Sequence, residues 1–94
     1  MSVTMHVPSV LRAETDGAAQ LILDSGGSLR AVLDGLKDTM PRLERRIRDE
    51  RGDLRRFVNV YVDGEDCRVL GGLDATVAPN AEIQVLPSIA GGAF

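Results

Sequence analysis

Ninety-four residues leave room for one domain, and a hydrophobic content of 44% supplies a modest core. The net charge of −3 argues against a general nucleic-acid binder, whose binding face carries a basic excess. One cysteine, Cys67, excludes an internal disulfide, and with only Phe57, Tyr61 and Phe94 as aromatics the core must be built from Val, Leu, Ile, Ala and Met.

Residues 2–7 alternate, with Val3, Met5 and Val7 on one face, and predict a half-buried strand that ends at Pro8. Thr15-Asp16-Gly17 reads as a turn. Residues 19–23 form a second short apolar run, closed by Asp24-Ser25-Gly26-Gly27, so the first two strands make a hairpin with a loose loop. Ser28 suits an N-cap, because Leu29, Val32, Leu33, Leu36 and Met40 follow at spacings of three and four and draw one apolar stripe along a helix. Pro41 interrupts or restarts that helix, and Leu43 and Ile47 extend it by a turn or two. Residues 56–62 alternate strictly, Val58, Val60 and Val62 against Phe57, Asn59 and Tyr61. Asp63-Gly64 is a hairpin turn into a return strand over 65–70, since glycine readily supplies positive φ. Gly71-Gly72 sits inside the folded region, where a bulge or tight bend is its ordinary role. Pro79-Asn80 turns the chain into a last strand over 82–86. The order strand, strand, helix, strand, strand, strand is an α+β pattern, with one helix across a small mixed sheet. A crossover through the helix brings the first and last strands together at the sheet centre.

The chemistry-bearing residues are few. A thiol nucleophile at Cys67 needs a base, and His6 is the only histidine. Both lie in strand-like segments, where packed structural positions are the commoner fate. The acids are scattered, and there is no His/Cys cluster, so no metal site is expected. Gly26-Gly27-Ser28 opens a helix but lacks the rest of a phosphate loop. The first residues have neither a basic n-region nor an apolar h-region, and no apolar stretch approaches the ~20 residues of a membrane span, which makes the cytoplasm the expected location. Residues 42–56 carry seven arginines against four acids, a local excess of three, while the remainder of the chain is at −6. That polarity fits either a solvated helix face or a docking patch for an acidic partner.

The chain ends Pro87-Ser88-Ile89-Ala90-Gly91-Gly92-Ala93-Phe94. Residues 1–87 read as the folded domain and 88–94 as a flexible tail, because small residues at a chain end bury little and are costly to order. Ala90, Gly91 and Gly92 are slim enough to thread a partner's active site and present a terminal carboxylate; a frayed end that happens to contain glycine is the plain alternative.

The order of elements, the stretch Arg56-Phe57-Val58-Asn59-Val60-Tyr61-Val62 with its Asp63-Gly64 turn, the later Gly71-Gly72-Leu73 and the tail from Leu86 to Gly92 together resemble the ubiquitin-like sulfur carrier proteins of the MoaD/ThiS family. Within that family the likeness is to the CysO type, which serves cysteine biosynthesis. The resemblance implies a β-grasp fold, a mixed sheet of about five strands with one main helix packed on one face. It implies a carrier rather than an enzyme. An E1-like adenylating partner, using ATP and Mg, would activate the Gly92 carboxylate, a sulfur donor would convert it to a thiocarboxylate, and an acceptor such as a cysteine synthase would take the sulfur. No cofactor would be bound by the chain itself. Phe57, Tyr61 and Leu86 are the candidate partner surface, and a monomer is expected.

One feature departs from the family pattern. Mature carriers end in the glycine pair, whereas Ala93 and Phe94 follow it here. The resemblance to members with a short extension implies a processing site at Gly92, Ala93 and Phe94, cut between Gly92 and Ala93 by a JAMM-type zinc metalloprotease. A molybdopterin synthase small subunit, a thiamine-pathway carrier, a ubiquitin-like modifier and an interaction domain without tail chemistry remain open alternatives.

Overall fold

The computed structural model describes residues 2–24 and 26–87. The strands are β1 (Val3–His6), β2 (Gln20–Leu23), β3 (Gly27–Ser28), β4 (Val58–Val62), β5 (Glu65–Asp66), β6 (Thr76–Val77) and β7 (Glu82–Pro87), and the helices are α1 (Leu29–Thr39) and α2 (Pro41–Ile47). Five strands form a mixed sheet in the order β2-β1-β7-β4-β5. β1 and β7, the first and last strands, run parallel at its centre, with Met5 opposite Ile83. β4 pairs antiparallel with β7 from Val58 opposite Pro87 to Val62 opposite Ile83.

Strand alternation divides the sheet into two faces. Val3, Met5, Val58, Val60, Val62, Ile83 and Val85 point inward and are buried against Leu29, Val32, Leu33 and Leu36 of α1. The stripe read from the sequence is therefore the helix's core face. Ser28 caps α1 by accepting from the Ala31 N–H at 3.1 Å, and the Leu29 N–H donates to Ala75 O at 3.0 Å. Pro41 occupies the first turn of α2, where a missing N–H costs nothing, and Met40 before it leaves the helical region at φ −134°, ψ 66°. The single main helix expected thus has a separate second helix behind it, whose Leu43 and Ile47 are buried in the same core.

Three local expectations are corrected. The loop between β1 and β2 is a 3-10 helix, Ser9–Thr15, held by the buried Leu11 and by the Thr15 hydroxyl, which lies 2.9 Å from Ala18 O. The return strand expected over 65–70 stops after Asp66. The Cys67 N–H makes a last bond to Val60 O at 2.8 Å, and the Arg68 guanidinium then takes the carbonyl of Val58 at 2.8 Å, the acceptor a longer strand would have used next, and that of Arg55 at 3.3 Å. Gly71-Gly72 bends the chain as expected, both at positive φ, but into a 3-10 turn at Gly72–Asp74 followed by β6, which pairs with β3 in a second small sheet. At Asp63-Gly64 both residues have positive φ, as a tight hairpin of the primed kind requires.

Candidate functional site

The described residues end at Pro87, the last residue of β7. Because β7 is hydrogen-bonded on both sides, to β1 and to β4, that end is held in the middle of the sheet rather than at an edge. The tail residues singled out from the sequence, Ala90, Gly91, Gly92, Ala93 and Phe94, lie outside the described residues.

The three residues read as a partner surface are distributed over two places. Tyr61 and Leu86 belong to the outer face of the sheet, Tyr61 opposite Gln84 and Asp66, and Leu86 opposite Asn59. Leu86 is 40% exposed, large for a leucine at the centre of a sheet. Phe57 lies one residue before β4 and is half exposed. Its ring carries the Arg56 guanidinium 5.8 Å from its centroid, and it lines a groove of about 560 Å³ together with Pro87 and Arg42, Arg45, Arg46 and Arg55. Two surfaces therefore meet near Pro87, an outer sheet face that carries Leu86 and a groove lined by the arginines of α2.

The groove is where sequence reasoning saw least. Spacings of three and four placed Arg42, Arg45 and Arg46 on one helix, but nothing in the pattern brings that helix to Pro87. The same applies to Glu14, which accepts from Arg46 Nε and Arg42 Nη2 at 3.2 Å each. These guanidiniums, the Arg46 hydrogen bond foremost, hold the Glu14 carboxyl below its ordinary range against the opposing effect of burial.

His6 and Cys67 do not form a reactive pair. His6 sits on the outer face with Nε2 2.7 Å from Glu82 Oε1 and Nδ1 3.4 Å from Gln20 Nε2, whereas Cys67 is fully buried in the core, where loss of solvation pushes its thiol pKa up. A thiol held protonated is a poor nucleophile. Among the described residues no group of three or more His, Cys, Asp or Glu side chains is arranged to hold a metal ion, and no helix is long and apolar enough to cross a membrane.

A central parallel β1–β7 pair, antiparallel strands on either side and a helix across the inner face define a ubiquitin-like β-grasp domain. The ThiS family model matches residues 5–92, and the chain belongs to that family. It is 38% identical to the sulfur carrier protein CysO of Mycobacterium tuberculosis (strain H37Rv), over 98% of this chain and 100% of that protein. The crystal structure of Mycobacterium tuberculosis CysO has a TM-score of 0.84 at 36% identity, covering 92% of this chain and 98% of that one. The crystal structure of the Amycolatopsis orientalis BexX/CysO complex contains a chain with a TM-score of 0.86 at 34% identity, covering 96% of this chain and 99% of that one.

Proposed function

We propose that this protein is a sulfur carrier whose reacting group is the carboxylate of Gly92. The observation that carries the reading is the extent of the family match, which runs from residue 5 to Gly92 and stops two residues before the chain does. A JAMM-type zinc metalloprotease removes Ala93 and Phe94. An E1-like enzyme then joins the freed carboxylate to the AMP moiety of ATP, with Mg in the partner's site and pyrophosphate as leaving group. A carboxylate is a poor electrophile; the acyl-adenylate is a good one, and a sulfur donor displaces AMP to leave a thiocarboxylate. The thiocarboxylate sulfur next attacks an acceptor in the cytoplasm, for which a cysteine synthase is the favoured class given the likeness to CysO. The chain itself contributes a slim end and a rigid root. Burial of Cys67 and the engagement of His6 with Glu82 support a carrier role, since neither is placed to do catalysis.

Pyrophosphate release with the cognate activating enzyme tests the reading. A chain ending at Gly92 is expected to be activated and the full-length chain is not; equal activity of the two would sink the processing step, and silence from both would sink the carrier. Intact mass from native cells provides the companion test, through loss of the Ala93 and Phe94 residue masses and replacement of one oxygen by sulfur.

A further inference from the structure

The proposed chemistry takes place at Gly92 and does not by itself say what the arginine-lined groove at Pro87 receives. Arg42, Arg45 and Arg46 of α2 line it together with Arg55, Phe57 and Pro87, the last described residue of β7. Leu11 and Val58 add apolar lining, and Glu14 is the one acid among the described lining residues. Four guanidiniums against one carboxylate leave the groove strongly positive. Arg42 and Arg46, although paired with Glu14, remain 74% and 63% exposed, so each keeps donors directed to solvent. Arg45 forms no ion pair with a carboxylate among the described residues, and its carbonyl oxygen accepts from Arg55 Nε at 2.7 Å. A groove lined by four guanidiniums, with one of them tied to the backbone of α2, suits a chain that carries carboxylates.

Its position selects which chain. Residues 88–92, fully extended, span at most about 17 Å, so anything lying in the groove has Gly92 within the depth of one active site. The charge distribution favours an acidic occupant, because residues 42–56 carry a net +3 while the rest of the chain sums to −6. We propose that the groove receives an acidic segment of the activating enzyme, with carboxylates on Arg45, Arg55 and the free donors of Arg42 and Arg46. This rests on the sulfur-carrier reading and adds to it a second contact, which orients the tail before its carboxylate reaches the nucleotide.

The test is steady-state pyrophosphate release by the purified activating enzyme, with carriers ending at Gly92 and across a range of salt concentrations. Arg45→Glu is expected to raise KM for the carrier about tenfold, with the loss in KM rather than kcat, and to flatten the salt dependence of kcat/KM. Arg45→Gln is expected to lie between Arg45→Glu and the parent, with an unchanged melting temperature that separates lost docking from lost fold. Lys37→Glu, an equal charge change on the exposed side of α1, is expected to match the parent. If the parent is active and Arg45→Glu and Arg55→Glu both keep its KM and salt slope, the groove proposal is wrong and the carrier reading stands. If the parent releases no pyrophosphate, the carrier reading falls and takes the groove with it.

Discussion

Two sets of arginines on and around α2 have opposite fates. Arg48, at the helix's C-terminal cap, is 4% exposed; its Nε donates to the buried Glu44 at 2.8 Å and its Nη1 to Asp34 of α1 at 2.9 Å. Arg42 and Arg46, less than two turns away, face water and share Glu14. In the sequence they form one charge run. The fold splits it, spending Arg48 on tying α2 to α1 and leaving the others on a surface. A run of like residues therefore has no single function; the helix face on which each falls decides.

Breaking the buried side should have the largest effect. Arg48→Ala leaves the Glu44 carboxylate buried without its guanidinium and is expected to cost about 3–5 kcal/mol by denaturant unfolding, whereas Arg48→Met with Glu44→Leu is expected to recover most of that loss. A double variant as unstable as Arg48→Ala would mean that the pair itself, and not the stranded charge, carries the stability. On the exposed side, Arg45→Ala is expected to change stability by no more than about 0.5 kcal/mol, and a larger loss would show the groove to be structural. The smallest effect concerns pH. The Glu14 carboxyl is held below its ordinary value of 4.5, so its contribution is complete above that pH and is lost as pH falls through the lower folded value. Replacing Glu14 with Gln should remove this part of the acid sensitivity, measured as the slope of the unfolding midpoint against pH. Retention of the full slope would assign it to other carboxylates, Asp49 first, whose pKa is also lowered: burial, the largest single effect, raises it, but the backbone N–H bonds from Asp53 and Arg51 and the charges of Arg51 and Arg55 together prevail.

Cys67 contrasts in the same way with its neighbour Arg68. The buried thiol should resist a thiol reagent at neutral pH in the native protein and react at once in denaturant, because burial pushes its pKa up. Rapid native reaction would place Cys67 at the surface.

The elements legible in the sequence were those whose signal is local and repeated. β1, β4 and β7 alternate, α1 carries a four-residue apolar stripe behind a serine cap, and Pro41 and Asp63-Gly64 act through backbone geometry that needs no distant partner. The elements that were missed depend on contacts from elsewhere. The Ser9–Thr15 turn has one buried apolar residue and one buried hydroxyl, too few to show a period. The strand after Gly64 ends where the Arg68 side chain takes the Val58 carbonyl in place of a strand N–H, a replacement that no propensity reveals. The candidate site divided similarly. The tail is read from glycine and small-residue composition alone and lies outside the described residues, while the meeting of Arg45, Arg55 and Phe57 with Pro87 follows only from tertiary packing.

The double pairing of β7 has a mechanical consequence. A partner that grips the chain beyond Pro87 and draws it inward pulls along the strand, and that load is shared in shear by the parallel ladder to β1 and the antiparallel ladder to β4. An edge strand pulled the same way would be held by one ladder; this one must slide past both neighbours together before anything gives. The domain can be towed by its end without unravelling.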